Sequence, residues 1–442
     1  MKPVNQLIQQ EGAIQDRSIF WDEDIYQKEM EEIFARCWLF LTHESIIPDE
    51  GDYQATTMGE DSVVVARQKD GSIKAFVNSC THRGNVVCFS DGGNAKSFTC
   101  PYHGWVFGMD GSLVDVPLEK QAYHNEIDKD ALFLKKVRVE SYKGFVFGTF
   151  DEEAPSLEEY LGGMAWYMDS FMDVPGGCEL IGPPMKSILD CNWKNPTENF
   201  IGDGYHVGWA HASALEISGG PLAIAKGNAV YDAETSGLQV TVPEGHGFGV
   251  IWEGAAALHG GPVFEAYQKW LDERSPLIKE KMGEHREKFY RGHWDAAIFP
   301  NCSFLYGTNT FKMWQPRGPH SIEVFTWTLV EKEMPEDLKQ MIHADNMLTF
   351  GTAGILESDD GENMEQCTQS NRGYSTRQGT LYAGMGQGHE YLDPELPGLV
   401  SKGWVNEAPQ RGMYRRWAEF MDGKPWSELS TTAQLEQTKL GG

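Results

Sequence analysis

The sequence predicts an α+β protein in which a small all-β domain precedes a larger domain of strands and long helices. Between residues 38 and 150 the apolar side chains recur with a period of two, which is typical of half-buried strands. An acidic, proline-bearing junction follows at residues 151–155, and beyond it strand and helix patterns mix. The chain of 442 residues is long enough for two or three cores of ordinary size.

Individual elements follow from periodicity and turn residues. Residues 22–38 show helical spacing, with Asp22, Glu23 and Asp24 favourable at the N-terminal end. The β domain has clear strands at Ser62–Arg67, Ile73–Val77 and Gly144–Phe150, and turns are predicted at Asp70-Gly71, Gly92-Gly93 and Asp110-Gly111. In the larger domain we expect helices at Leu157–Phe171, Phe264–Tyr290 and Pro335–Phe350 and a strand at Val324–Val330. Residues after Asp393 give no assignment.

These patterns divide the chain into three segments. Residues 1–37 form an N-terminal helical segment that we expect to pack on the larger domain. Residues 38–155 form the β domain, and residues 156–442 form the larger domain.

Charge and hydropathy exclude several classes of protein. The net charge is −28, from 37 basic and 65 acidic residues, so the surface should repel nucleic acid and anionic membrane. There is no run of 18 apolar residues, and the N-terminal residues lack the apolar core of a signal peptide. We therefore expect a cytoplasmic protein that binds neither nucleic acid nor membrane.

The eight cysteines argue against a disulfide framework in so long a chain. Six of them are scattered without ligand spacing and are interpreted as small buried residues: Cys37, Cys88, Cys178, Cys191, Cys302 and Cys367. Cys80 and Cys100 differ, because each is followed closely by a histidine.

The first motif is Cys80-Thr81-His82, followed after 17 residues by Cys100-Pro101-Tyr102-His103. Two thiolates and two imidazoles could hold tetrahedral zinc, or a [2Fe–2S] cluster in which the cysteines bind one iron and the histidines the other. Glycines directly behind both pairs, Gly84 and Gly104, would let backbone N–H groups approach the sulfides of a cluster. The setting in a β domain favours the cluster.

The second motif is Asn199–His206 with His211. The two histidines are five residues apart, which on an ideal helix separates them by about 140°. They can share a metal only if the helix is distorted or ends between them. Two histidines and one carboxylate form the facial triad of non-haem Fe(II) oxygenases. The carboxylate must come from elsewhere, and the chemistry alone leaves Asp359, Asp360 and Glu362 open.

Both motifs resemble those of one family, the large (alpha) subunits of Rieske aromatic ring-hydroxylating dioxygenases. The sequences Cys80–Gly84 and Cys100–Trp105 look like the two cluster-binding boxes, and Glu198–His206 with His211 looks like the iron-site motif. The similarity covers nearly the whole chain and is greatest for the naphthalene or polycyclic aromatic hydrocarbon type. It implies an all-β Rieske [2Fe-2S] domain and a larger catalytic domain with an antiparallel sheet flanked by helices.

The resemblance also implies the cofactors and their ligands. Cys80, Cys100, His82 and His103 would bind the Rieske cluster, and His206, His211 and Asp360 would bind a mononuclear Fe(II). Asp203 would not be a ligand. It would instead connect His206 to His103 of a neighbouring subunit, which gives a reason for a trimer.

The implied reaction adds both atoms of O2 to an aromatic hydrocarbon and yields a cis-dihydrodiol. The sequence lacks a nicotinamide or flavin fingerprint, so electrons would come from a ferredoxin and an NAD(P)H-dependent reductase. The family further implies a small β subunit in an α3β3 heterohexamer, although some related oxygenases are trimers of the large subunit alone.

Five residues are candidates for the substrate pocket. Asn199 would lie beside the metal, and the apolar candidates are Phe200, Val207, Phe350 and Leu356. Naphthalene-type relatives carry a tryptophan at the position of Leu356. We therefore hypothesise a reshaped pocket that tolerates larger polycyclic arenes.

Two alternatives remain open. A Rieske mono-oxygenase, demethylase or salicylate-type hydroxylase would share both motifs and differ in its product. A Rieske electron-transfer protein would need only residues 38–150, and the second motif argues against it.

Overall fold

The computed structural model describes residues 2–218 and 236–441 and divides the chain into two compact units. One unit is Phe34–Leu157, and the other combines Met1–Ile33 with Glu158–Gly442. One unit is dominated by strands and the other mixes a large sheet with helices, so the predicted α+β class is confirmed. Among the described residues, no helix combines the length and the apolar character needed to cross a membrane.

The N-terminal segment consists of short elements. They are α1 (Val4–Leu7), β1 (Ile8–Gln9), β2 (Ile14–Asp16) and α2 (Glu23–Glu29), with 3-10 turns at Gln10–Gly12 and Arg17–Phe20 and a π turn at Met30–Phe34. Helix α2 begins where the acidic residues predict, because the Asp22 carboxylate accepts a hydrogen bond from the Ile25 amide at 3.1 Å.

At the end of α2 the carboxylate of Glu29 is completely buried. It accepts hydrogen bonds from Lys194 Nζ at 2.6 Å, Trp193 Nε1 at 2.9 Å and Trp417 Nε1 at 2.7 Å. This charged cluster anchors the N-terminal segment to the rest of its unit.

The β unit contains ten strands and little helix. Its elements are β3 (Leu39–His43), β4 (Asp52–Met58), β5 (Asp61–Arg67), β6 (Ile73–Val77), β7 (Gly92–Asn94), β8 (Ser97–Thr99), β9 (Val106–Gly108), β10 (Leu113–Asp115), α3 (Glu119–Ala122), a 3-10 turn at Lys129–Ala131, β11 (Lys136–Tyr142) and β12 (Phe145–Thr149). A seven-stranded antiparallel sheet has the order β3-β12-β11-β6-β5-β4-β7, and a three-stranded sheet has the order β10-β9-β8.

Two of the three predicted turns in this unit are confirmed. Gly71 and Gly111 adopt the positive φ values, +83° and +81°, that their turns require. The turn predicted at Gly92-Gly93 is wrong, because these residues form β7 and pair with Gln54 and Tyr53 of β4. The backbone of β4 forms hydrogen bonds with Gly92 and Gly93, and two glycines do not predict such a strand pairing.

The mixed unit contains the larger sheet and most of the helices. Its elements are α4 (Leu157–Leu161), α5 (Gly163–Met172), β13 (Cys178–Leu189), α6 (Lys194–Phe200), α7 (Gly204–Ala210), α8 (Ala212–Ser218), β14 (Gly237–Thr241), β15 (Gly247–Ile251), α9 (Gly261–Met282), α10 (Glu284–Tyr290), β16 (His293–Ile298), β17 (Cys302–Tyr306), β18 (Thr310–Pro316), β19 (Ile322–Glu331), α11 (Glu336–Thr349), α12 (Ile355–Asn371), a 3-10 turn at Thr376–Gln378, β20 (Thr380–Tyr382), β21 (Tyr391–Leu392), β22 (Leu399–Lys402), α13 (Ala408–Met421), a 3-10 turn at Trp426–Glu428 and α14 (Thr432–Gly441).

Nine antiparallel strands form the sheet of this unit in the order β13-β19-β18-β17-β16-β15-β14-β22-β21. Helix α6 packs against β16 and β17, and α13 packs against β14 and β15. The central strands therefore lie next to the segment α6–α8, which carries the second motif.

Several predictions for this unit need correction. The helices predicted at Leu157–Phe171 and Phe264–Tyr290 are each divided, at Gly162 (φ 50°) and Gly283 (φ 88°). The unassigned tail forms α13, whose Tyr414, Trp417 and Phe420 are buried in the core. Cys367, expected to be buried, is exposed on α12.

Candidate functional site

The second motif folds as three short helices separated by breaks. After α6 the chain turns at Gly202, whose φ of +119° and close approach to the Gly249 amide leave no room for a Cβ. Asp203 then caps α7, because its Oδ1 accepts a hydrogen bond from the Tyr205 amide at 3.1 Å. Helix α7 ends at Ala210 and is followed by His211 as its C-cap residue. Helix α8 begins at Ala212. The predicted helix end between the two histidines is confirmed.

This break brings three side chains together. His206 Nε2 lies 3.2 Å from His211 Nε2. Asp360 Oδ1, from α12, lies 3.3 Å from His206 Nε2 and 3.2 Å from His211 Nε2. Among the described residues, this is the one group of His, Cys, Asp and Glu whose ligand atoms converge as a metal site requires.

The remaining nitrogens of the two histidines have partners of their own. His206 Nδ1 donates to the carbonyl oxygen of Asp203 at 2.5 Å, and the carboxylate Oδ2 of Asp203 is 3.5 Å away. His211 Nδ1 lies 3.2 Å from Asp359 Oδ2. A histidine whose Nδ1 proton is held in this way presents the Nε2 lone pair to a metal. Glu362 instead binds Gln366 on the exposed side of α12.

The electrostatics of the group fit a divalent cation. Asp360 Oδ1 is buried and has no hydrogen-bond partner among the described residues. Burial alone would raise the pKa of Asp360, but His211 and His206 hold it well below its ordinary value. Burial alone would lower the pKa of His206, but the nearby carboxylates of Asp203 and Asp360 raise it well above its ordinary value. A buried carboxylate oxygen between two imidazole nitrogens is a suitable donor set for iron.

The three side chains line a narrow cavity. All five residues proposed for the pocket from the sequence lie in its wall, namely Asn199, Phe200, Val207, Phe350 and Leu356. Sequence reasoning missed its other members, which are Leu215, Ile251, Leu258, His293, Asp295, Leu305 and Trp404. The alternation of His293, Trp294 and Asp295 at the start of β16 was a signal for the two polar residues. Trp404, in the unassigned tail, gave none.

Asp203 lies outside this cavity. Together with Glu198 and Trp209 it borders a second, wider and more open cavity, which reaches the other side of His206. The Asp203 side chain is 34% exposed, whereas that of Asp360 is 4% exposed. Asp203 can therefore contact a partner from outside while its backbone holds His206.

The first motif forms two loops of the same design in the β unit. In each loop a glycine with φ of +74° donates its amide to the cysteine carbonyl, Gly84 to Cys80 at 2.8 Å and Gly104 to Cys100 at 2.9 Å. The positive φ of each glycine gives its loop a tight turn behind the ligands. The predicted approach of N–H groups to the sulfides of a cluster stays a prediction.

The proposed ligands of the first motif pair across the two loops, cysteine with cysteine and histidine with histidine. Cys80 and Cys100 are buried, and the rings of His82 and His103 are 4.5 Å apart. His82 also stacks on Trp105 at 4.8 Å, and its Nδ1 is buried without a hydrogen-bond partner in the described structure. Two buried thiols and a neighbouring pair of imidazoles are the donor types that a [2Fe–2S] cluster with mixed ligands requires.

Two family models match the chain. Residues 37–143 match the Rieske [2Fe-2S] domain, and residues 157–423 match the catalytic domain of the ring hydroxylating alpha subunit.

Individual relatives are similar over almost the full length. The large oxygenase component of the naphthalene 1,2-dioxygenase system of Pseudomonas aeruginosa is 44% identical over 98% of this chain and 97% of its own. The biphenyl dioxygenase alpha subunit of Metapseudomonas furukawaii is 39% identical over 96% of this chain and 94% of its own. A solved naphthalene 1,2-dioxygenase variant bound to phenanthrene superposes with a TM-score of 0.95 at 42% identity, covering 100% of both chains.

Proposed function

The chain belongs to the alpha subunits of the Rieske ring-hydroxylating dioxygenases, and from this premise we propose that it cis-dihydroxylates bicyclic or polycyclic aromatic hydrocarbons. The observation that carries the proposal is the convergence of His206, His211 and Asp360 in the wall of a largely apolar cavity. Three ligands on one side of an ion leave positions for O2 and substrate. The product would be an arene cis-dihydrodiol, with NAD(P)H as the ultimate electron donor.

The enzyme carries a Rieske [2Fe-2S] cluster and a mononuclear iron. We propose Cys80, Cys100, His82 and His103 as ligands of the cluster, and the triad of His206, His211 and Asp360 as ligands of the mononuclear iron. When bound, the cluster supplies electrons one at a time and the mononuclear iron activates O2.

The protein residues position the ligands and the substrate. Asp359 and the carbonyl of Asp203 fix the rings of His211 and His206, so that both Nε2 atoms face Asp360. Phe200 and Phe350, whose rings are 6.2 Å apart, form an apolar wall that would hold a flat arene and exclude water. Asn199, which directly precedes Phe200 in the sequence, is a polar residue in the cavity wall.

We propose that Leu356 widens the pocket for larger arenes. Leu356 is almost fully buried and lies in the cavity wall, where the naphthalene-type family has a tryptophan. Naphthalene and biphenyl, for which two groups of relatives are named, have two rings, and the phenanthrene bound in the solved variant has three. Another relative, 40% identical, is named for the one-ring compound 2,4-dinitrotoluene.

The relatives are components of multi-component systems, which supports partners for this chain as well. We propose an α3β3 assembly with a small β subunit, reduced by a ferredoxin and an NAD(P)H-dependent reductase in the cytoplasm. Asp203, half exposed next to His206, would receive His103 of the neighbouring subunit.

Adjacent acids on α12 provide a matched test of the metal site. Asp360→Ala should lose the mononuclear iron and retain the two cluster irons, and it should form no dihydrodiol. Asp359→Ala, which removes a partner of His211, should weaken iron binding about 10–100-fold and regain the metal at saturating ferrous iron. Retention of the third iron by Asp360→Ala would overturn the ligand assignment.

The reaction itself is tested with a ferredoxin–reductase pair, ¹⁸O2 and a panel of naphthalene, phenanthrene and benzene. We expect two labelled oxygens in a cis-diol from the first two arenes. A single labelled oxygen would identify a mono-oxygenase, and activity confined to benzene would contradict the proposed pocket.

A further inference from the structure

The floor of the cavity is formed by strands β15, β16 and β17. In the register of the sheet Ile251 lies opposite His293, and Asp295 lies opposite Leu305. All four line the cavity. Because side chains alternate along a strand, His293 and Asp295 face the cavity while Trp294 between them is buried in the aromatic core. The cavity thus contains a second polar pair, carried by the sheet rather than by the helices that carry the triad.

Apolar surroundings make this pair unusual. The Asp295 side chain is 14% exposed and that of His293 is 6% exposed, and His293 Nε2 lies 3.3 Å from Asp295 Oδ1. In the described part of the chain Asp295 has no other cationic neighbour within ion-pair distance. A carboxylate in such a setting costs free energy unless its oxygens receive hydrogen bonds.

The pair has unused hydrogen-bonding capacity. An ionised carboxylate offers about four lone-pair sites, of which His293 can occupy one. The second nitrogen of the imidazole, His293 Nδ1, is buried and has no partner among the described residues. The neighbour of Asp295 on β15 is Gly249, which adds no side chain and no polar partner to the pair.

We propose that His293 and Asp295 form a polar recognition site for a hydrogen-bond donor on the arene, such as a hydroxyl group. The inference rests on the proposed function and narrows its substrate class. An arene hydroxyl placed on the floor of the cavity donates to the Asp295 carboxylate and replaces the water that would otherwise solvate it. An aryl carboxylate would meet a like charge there, so the site disfavours substrates of the salicylate type.

The position of the pair allows this role without interfering with iron. His293 and Asp295 are not members of the convergent metal group, which consists of His206, His211 and Asp360 in the described structure. A substrate can therefore contact the floor through its substituent and present its ring to the triad on the helices. The pair would select and orient the arene, as a specificity-determining site does.

The test compares isosteric probes with and without a donor, 1- and 2-naphthol against 1- and 2-fluoronaphthalene. Equilibrium binding to the iron-loaded protein and kcat/KM are both measured. We expect the wild type to favour at least one naphthol over its fluoro counterpart by roughly tenfold or more, as expected for a hydrogen bond to a charged group. Asp295→Leu should reduce this ratio to about one, because the naphthol loses its acceptor.

Asp295→Asn is the second variant, because it keeps an acceptor oxygen without the charge and should give an intermediate ratio. Leu305→Val, a change opposite Asp295, is the matched control and should alter both probes equally. An unchanged ratio in Asp295→Leu, or in Asp295→Asn should the leucine variant not fold, would overturn the inference. Failure of the wild type to oxidise naphthalene would instead contradict the proposed function. The ratio of naphthol to fluoronaphthalene affinity would still test the recognition site.

Discussion

Replacing Lys194 with methionine should destabilise the mixed unit more than any ordinary surface change. Lys194 and Glu29 are both completely buried, and the ammonium lies 2.6 Å from the carboxylate. Burial lowers the pKa of Lys194, and the charge of Glu29 acts against this effect. Methionine fills a similar volume, but it leaves the carboxylate in the core with only the indole donors of Trp193 and Trp417.

The expected magnitude follows from the loss of one partner in a buried pair. Such a loss costs about 3–5 kcal/mol. A unit of this size has an unfolding entropy on the order of 0.7 kcal/mol/K, so Tm should fall by about 4–8 °C. The double variant Glu29→Gln with Lys194→Met removes both charges and should recover most of this loss, because a neutral amide can still accept from the indoles.

The assay is differential scanning calorimetry at a fixed scan rate and neutral pH. Lys279→Met is the control, because Lys279 forms a 2.7 Å pair with Glu284 in which both side chains are more than half exposed. It should cause no measurable shift. A Tm for Lys194→Met equal to that of wild type would refute the reasoning. So would a double variant whose loss of stability exceeds the sum of the losses of the two single variants.

Three further predictions concern the site. Asp203→Ala should retain iron, because His206 Nδ1 keeps its bond to the backbone carbonyl, yet abolish turnover; loss of iron in metal analysis would contradict this. Leu356→Trp should lower phenanthrene oxidation by tenfold or more and spare naphthalene, in a product assay by chromatography. Burial raises the pKa of Glu198 to about 7, against the hydrogen bond from Tyr414. The folded state therefore holds a proton that the unfolded state loses above pH 4.5, so stability should fall by roughly 2–3 kcal/mol from pH 5 to 8. Glu198→Gln should remove this slope in thermal unfolding.

The spacing of the histidines was the most informative local feature of the sequence. A separation of five residues is incompatible with one regular helical face, and the structure indeed ends α7 at Ala210, before His211. The choice among Asp359, Asp360 and Glu362 could not be made from chemistry, because all three are carboxylates. The rotation of α12 decides it, since Asp360 faces the histidines and Glu362 faces solvent.

Helix ends inside apolar patterns were harder to predict. A glycine in a helix costs only about 1 kcal/mol relative to alanine, so Gly162 and Gly283 did not interrupt the periodicity. Both glycines end their helices with positive φ values, but a glycine in the pattern does not by itself say whether the helix continues. Gly162 packs against the Glu244 carboxylate, whereas nothing lies close to Gly283. The core role of α13 was hidden for a similar reason, because its flanking Gly- and Pro-rich segments resemble a linker.

The contact between Gly204 and Trp404 connects the helix that carries His206 to a segment late in the chain. A Cβ at Gly204 would lie 2.2 Å from the Trp404 ring, so the first residue of α7 and the late tail are fitted to each other. Trp404 also forms part of the cavity wall. During synthesis all three proposed iron ligands therefore emerge before the residue that closes their cavity. A chain truncated before Trp404 would hold an open metal site, so only a finished protein can shield its reaction from solvent.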